Sequence, residues 1–214
     1  MYVICGIDEA GKGSVLGPMV VSGVSAPDMD MVASTGVADS KTLSRKRRET
    51  LYSEITENFV FACKIISAED IDRLRAELSM NEIVAQAHAE VIRLLPFGTA
   101  FVDACDVNAE RYGRTVSRYA GEGYSIVSEH KADARYPVVS AASVVAKVTR
   151  DRCIELLHEE FGDFGSGYPS DPLTIQFLEG YIAEYAMPPS CARTSWETTR
   201  RIMDRLRQAS LFDF

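Results

Sequence analysis

Apolar positions along this chain switch between two rhythms. Residues 2–7 (YVICGI) and 16–25 (LGPMVVSGVS) are short, rich in Val and Ile, and separated by Gly11, Lys12 and Gly13, which predicts two strands in an antiparallel hairpin. A helix follows: Ser44 can cap it, and Leu51, Tyr52, Ile55 and Phe59 recur at helical spacing. The run FVFACKII at 59–66 reads as a strand, 68–75 as a short helix, and 81–95 as a longer helix with Ile83, Val84, Ala87, Val91 and Leu94 on one face. GTAFVDA at 98–104 predicts a buried strand ending at Asp103, followed by a helix over 108–120 and a strand over 124–128. From Pro137 on, Val138, Ala141, Ala142, Val145 and Val148 mark one helical face, with Ser140, Ser143, Lys147 and Arg150 opposite. Residues 162–172 are glycine- and proline-rich loop, and helices over 172–186 and 196–208 close the chain. Strands alternating with helices predict an α/β fold.

Acids at strand ends change the picture from fold to chemistry. Asp8 and Glu9 stand where the first strand gives way to the glycine turn, and Asp103 ends a later strand. Adjacent carboxylates repel each other and are compensated best by a divalent cation with hard oxygen ligands. In open α/β sheets ligands gather beyond strand ends, so two strands ending in acids can face one crevice. Lys12, between glycines, can meet a phosphate. Read singly, each acid is an ordinary solvated side chain and the glycines an ordinary turn.

Composition narrows the classes. The 214 residues, 46% hydrophobic and 25% charged, suffice for a substantial core. No apolar stretch approaches the roughly 20 residues that span a bilayer, and the start lacks a signal-peptide pattern, so a soluble, cytoplasmic protein without membrane contact is expected. Five scattered cysteines read as reduced thiols, and three histidines leave little material for zinc. A net charge of −8 excludes nucleic-acid binding by the whole surface but not by a local basic track. Residues 41–48 (KTLSRKRR) form such a track, either as a solvated helix start or, because cations there oppose the helix dipole, as a phosphate contact.

GIDEAGKG almost spells a phosphate-binding P-loop, with four residues between Gly6 and Gly11–Lys12. It fails at Gly13, where Ser or Thr is needed, and at Asp8 and Glu9, which would put negative charge inside a phosphate cradle. DEAGKG (8–13), DSK (39–41), DACDVN (103–108), HKADARYPVVSAASVVAKVTRDR (130–152) and GSGYPSDP (165–172) together resemble ribonuclease HII, especially its archaeal branch, in order and over nearly the whole chain. A non-catalytic RNA:DNA binder is the alternative to that reading, but it would need no metal carboxylates.

The resemblance implies a ribonuclease H-like mixed sheet flanked by helices, with a catalytic domain over 1–172, a small C-terminal helical extension over 173–207 and a tail over 208–214. It implies a monomeric endoribonuclease acting on RNA:DNA hybrids and on ribonucleotides embedded in duplex DNA. Its four-carboxylate site falls on Asp8, Glu9, Asp103 and Asp133, holding two Mg²⁺ or Mn²⁺ ions that can activate water and stabilise a leaving oxygen. Gly11, Lys12 and Gly13, with Tyr168, then read the 2′-hydroxyl, although many members have Arg where this chain has Lys12. Lys41, Lys147 and Arg150 are candidates for phosphate contacts, Ser140 and Ser143 for polar support, and His130 for a contact with substrate or water. Ribonuclease HIII relatives usually carry an extra N-terminal domain and a Glu as the fourth acid, so Asp133 favours type HII. Finally, Gln208, Leu211 and Phe214 resemble a peptide that binds the sliding clamp PCNA, the alternative being a frayed apolar tail.

Overall fold

The structure, a computed structural model, describes residues 3–37, 44–96 and 98–212, with 209–212 as backbone. In chain order they form β1 (Ile4–Ala10), β2 (Met19–Ala26), α1 (Met29–Ala33), α2 (Arg45–Asn58), β3 (Val60–Ile66), α3 (Ala68–Arg75) and α4 (Met80–Arg93). Then come β4 (Thr99–Asp103), α5 (Ala109–Ala120), β5 (Ser125–Glu129), α6 (Ala132–Arg135), α7 (Pro137–Phe161), α8 (Pro172–Tyr185) and α9 (Glu197–Phe212). They divide into two compact units, one of Met1–Ala10, Val20–Ile65 and Ser79–Thr149, the other of Gly11–Met19, Ile66–Leu78 and Arg150–Phe214.

The first unit is built on a mixed five-stranded sheet in the order β3-β2-β1-β4-β5. β1 pairs antiparallel with β2, from Ile4↔Ala26 to Ala10↔Val20, and parallel with β4, from Ile4↔Thr99 to Ile7↔Val102. β4 in turn runs parallel to β5, ending at Asp103↔Glu129. Every residue of β2 is buried, as a strand covered on both faces requires. On one face Val24 and Ala26 pack with Leu51 and Ile55 of α2 and with Val138, Ala141, Ala142 and Val145 of α7. Burying an aliphatic side chain completely contributes about 1.5–3 kcal/mol, so Leu51 and Ile55, both 0% exposed, tie α2 firmly to the sheet. On the other face a Cβ at Gly23 would meet Ile7, Val91 and Leu95, so α4 lies against that side.

Gly6 sets how closely α7 approaches. A Cβ there would stand 2.3 Å from the Val138 carbonyl and 2.4 Å from the Val139 nitrogen, so only glycine lets the first turn of α7 rest on β1.

The second unit has its own core of Val15, Leu16, Ile154, Phe164, Leu178, Ile182 and Ile202. Asp171 caps α8, with Pro172 in its first turn.

Two expectations are corrected. β2 begins at Met19 rather than residue 16, because the amides of Val15 and Leu16 bond the Gly167 carbonyl and that of Gly17 bonds the Cys191 carbonyl. The same bonds join residues 11–19 to the C-terminal part of the chain within the second unit. α7 has no polar face along its first half: Val139, Ser140, Val144, Ala146 and Arg150 are buried along with the expected apolar stripe. Among the described residues no helix is long and apolar enough to cross a membrane.

Candidate active site

Strand pleating distributes the acids of the first unit. Successive side chains on β1 point to opposite faces. Gly6 faces α7, and so does Asp8, which accepts a hydrogen bond from the Ser143 side chain on that helix. Glu9 faces α4, where its Oε2 lies 3.0 Å from Nε2 of His88. Since Ile7 and Val102 are the last register pair of β1 and β4, Asp8 and Asp103 are the next residues of two adjacent parallel strands. The resulting proximity is electrostatically costly. Burial first, then the charges of Glu9 and Asp103, push the Asp8 carboxyl well above the usual carboxylate range, against hydrogen bonds from Ser143 and the Glu9 amide.

Asp103 recruits the fourth acid. Its Oδ1 accepts the Ala132 amide at 2.8 Å, which fixes the start of α6 beside the end of β4. The chain enters α6 through Lys131 at φ 56°, a left-handed conformation uncommon outside glycine. Asp133, one residue on, is 5% exposed, and no hydrogen bond is donated to its buried Oδ1, although the residue is not without a partner. An all-carboxylate donor set with a buried oxygen suits Mg²⁺ or Mn²⁺. Among the described residues, no three acids, histidines or cysteines yet converge as a formed metal site. Asp8, Glu9 and Asp103 instead hold the protein donors just described.

The second unit shapes the glycine turn. Gly11 has φ 85°, and a Cβ there would lie 2.3 Å from Arg150 Nε and 2.7 Å from the Pro18 carbonyl. A side chain is thus excluded twice, by conformation and by space. A Cβ at Gly13 would meet nothing within 4 Å. The Gly11 amide donates to the Tyr168 hydroxyl at 3.1 Å. Beneath the turn, Arg193 is 0% exposed and spends its guanidinium on main-chain oxygens: Nη2 to Gly11 at 2.7 Å and to Gly17 at 3.1 Å, Nη1 to Lys12 at 2.9 Å, and Nε to Gly17 at 3.2 Å. Burial and the neighbouring Arg150 charge lower its pKa to about 9, which still leaves it a cation at neutral pH. Asp72 of α3 steadies the adjoining segment by accepting from the amides and hydroxyls of Thr194 and Ser195. Burial would raise its pKa, and these hydrogen bonds outweigh that and lower it.

Arg150 is not where a phosphate contact was expected. It is 1% exposed, donates to the carbonyls of Leu16, Pro18 and Ser166, and lies 4.8 Å from the centre of the Tyr168 ring. Its position on α7 points it into the second unit's core, where it holds the tyrosine by a cation–π contact.

A family model for ribonuclease HII matches residues 5–199. The chain belongs to the ribonuclease HII family. Ribonuclease HII of Methanospirillum hungatei is 54% identical, over 99% of this chain and 100% of that protein. The crystal structure of ribonuclease H2 from Pyrococcus horikoshii superposes with a TM-score of 0.90 at 37% identity, covering 97% of this chain and 100% of that one. A structure titled as the PCNA:RNase HII complex from Archaeoglobus fulgidus gives 0.86 at 47% identity, covering 92% and 96%. As a ribonuclease HII family member with the ribonuclease H-like fold, the chain is an endoribonuclease.

Of the other residues singled out in this ribonuclease HII chain, Lys147 is half-buried on α7, Ser140 is buried, and His130 is exposed just before Lys131. Gln208 is exposed on α9, which runs to Phe212. Lys41, Phe214 and the side chain of Leu211 lie outside the described residues. Sequence reasoning missed Arg193, which no local motif marks, and His88. The latter did leave a signal: it interrupts the apolar stripe of α4 four residues after Val84 and three before Val91.

Proposed function

We propose that this endoribonuclease hydrolyses the RNA strand of RNA:DNA hybrids and cuts 5′ to a single ribonucleotide in duplex DNA, leaving 5′-phosphate and 3′-hydroxyl ends. Removal of RNA primers and excision of misincorporated ribonucleotides are the uses that follow. The observation that carries this reading is the meeting of Asp8 and Asp103 at the ends of adjacent parallel strands, with Glu9 beside one and Asp133 brought in by the other. Asp8, Glu9, Asp103 and Asp133 would hold two divalent cations, Mg²⁺ or Mn²⁺. Bound there, the cations supply Lewis acidity that activates water and stabilises the departing oxygen. Ser143 and the Ala132 amide orient the carboxylates of Asp8 and Asp103. Gly11 and Tyr168, joined by their hydrogen bond, present a backbone and a hydroxyl suited to a ribose 2′-hydroxyl, the group that separates substrate from plain DNA.

A labelled duplex containing one ribonucleotide, incubated with Mg²⁺, Mn²⁺ or chelator, tests the reading. A single nick 5′ to the ribonucleotide is expected with either metal, none with chelator, and loss of at least about a hundredfold in rate for Asp8→Asn or Asp103→Asn. Equal cleavage with chelator would contradict it.

The tail is proposed to dock on PCNA through Gln208, Leu211 and Phe214, supported by the exposure of Gln208 and by the A. fulgidus relative's complex. Removing residues 208–214 is expected to abolish binding to an archaeal clamp in surface plasmon resonance while preserving nicking activity. Undiminished clamp binding would place the contact elsewhere.

A further inference from the structure

On the face of β1 away from Asp8, Glu9 is engaged by a buried chain of polar side chains that no motif of the sequence announces. His88 of α4 is 0% exposed and Glu9's side chain 11%. Nε2 of His88 stands 3.0 Å from Glu9 Oε2, and Nδ1 stands 3.1 Å from the hydroxyl of Tyr112 on α5. The imidazole and phenol meet edge to face, with centroids 5.8 Å apart and planes at 88°. Tyr112 is 2% exposed.

Donor and acceptor roles follow from the chemistry of the three groups. An ionised carboxylate only accepts, so Nε2 carries the proton. With Nε2 protonated, the neutral ring leaves a lone pair on Nδ1, which accepts from the Tyr112 hydroxyl. That hydroxyl keeps its proton: burial first, then Cys105, by charge and by a side-chain hydrogen bond, and the charges of Glu9 and Asp8, raise its pKa well above the ordinary tyrosine value. With that proton directed to Nδ1 rather than to Cys105, the chain runs in one direction, Tyr112 to His88 to Glu9, and selects a single tautomer.

A histidine of this kind, placed in an apolar stripe, would cost stability if its nitrogens lacked partners. Both have one, and one partner is the acid expected to bind metal. Glutamate also has one more rotatable bond than aspartate, so of the four acids Glu9 needs the most help to hold one position. We propose that His88 and Tyr112 are positioning residues that lock the Glu9 carboxylate in its metal-binding orientation, with Tyr112 selecting the imidazole tautomer that can do so. This rests on the reading of Glu9 as a metal ligand. Partners of this outer kind typically set metal affinity by roughly 10- to 100-fold.

Calorimetric titration of the full chain with Mn²⁺, without substrate, tests the proposal. His88→Leu is expected to weaken Mn²⁺ binding about tenfold or more. His88→Gln, whose amide N–H can reach Glu9, is expected to recover most of that loss, and Tyr112→Phe to lie between Leu and wild type. A purely structural histidine would lower the thermal midpoint in His88→Leu and leave the affinity alone, which overturns the proposal. Should His88→Leu not fold, Tyr112→Phe decides, and wild-type affinity in that variant overturns it as well. Glu9→Gln and Asp8→Asn separate the two layers of argument. If both weaken Mn²⁺ while the His88 and Tyr112 variants do not, only the brace fails; if neither does, the metal site itself is wrong and the brace goes with it.

Discussion

Two buried arginines show how a residue can serve a site without facing it. Arg193 spreads four hydrogen bonds over the carbonyls of Gly11, Lys12 and Gly17, so one rigid fork sets the course of the turn proposed to read the ribose. Arg150 does the same for Tyr168 through its ring face. Replacing Arg193 by Lys keeps the charge but can satisfy only part of that fork. Losing two hydrogen bonds at about 1 kcal/mol each corresponds to roughly 2 kcal/mol, or about thirtyfold. We expect Arg193→Lys to lose about that factor in kcat/KM on a duplex with one ribonucleotide, while its Mn²⁺ affinity stays at the wild-type value. A fall in thermal midpoint with unchanged kcat/KM would make Arg193 a support for the fold alone. None of this was legible from the chain, since Arg193 lies far from the glycine turn in sequence and meets it only through main-chain oxygens. Asp8, Glu9, Asp103 and Asp133 could be singled out as candidates because each sits in a recognisable block of residues.

At the scale of elements, periodicity read the fold well where one principle dominated. α3 follows its expected limits, and β4, α5 and β5 fall within one residue of theirs because capping residues, β-branched runs and glycines agree, whereas each strand of the opening hairpin is displaced by up to three residues. The failures share a cause. α7 was read as two-faced because Ser140, Ser143, Lys147 and Arg150 are polar, yet burial surrounds most of its first half. Ser143 supports Asp8 and Arg150 supports Tyr168, so polarity there marks internal contacts rather than solvent. α1 and α6 are too short to carry a period, and α6 owes its place to the Asp103–Ala132 bond rather than to propensity. The start of β2 was misjudged for a similar reason: Val15 and Leu16 have the look of strand residues, but their amides are claimed by Gly167.

At the scale of the whole molecule, gathered carboxylates oppose folding, and on the proposed reading a bound cation relieves them. The chain already carries a net charge of −8, and Asp8 is 7% exposed beside Glu9 and Asp103. Asp8→Asn removes the most buried of these like charges and keeps an oxygen that can accept from the Glu9 amide and Ser143. In chelator the variant is therefore expected to be more stable than wild type by about 1–2 kcal/mol, a rise of roughly 2–8 °C in thermal midpoint for a chain of this size. Added Mg²⁺ should reverse the order. A cation that binds only the folded state stabilises it by about 2.7 kcal/mol at a hundred times its dissociation constant, and wild type gains this while Asp8→Asn gains much less. Scanning calorimetry of both proteins with and without Mg²⁺ reads the crossing directly. If Asp8→Asn melts below wild type in chelator, the hydrogen bonds to Asp8 outweigh the repulsion, and the acids are held in place by the protein before any metal is present.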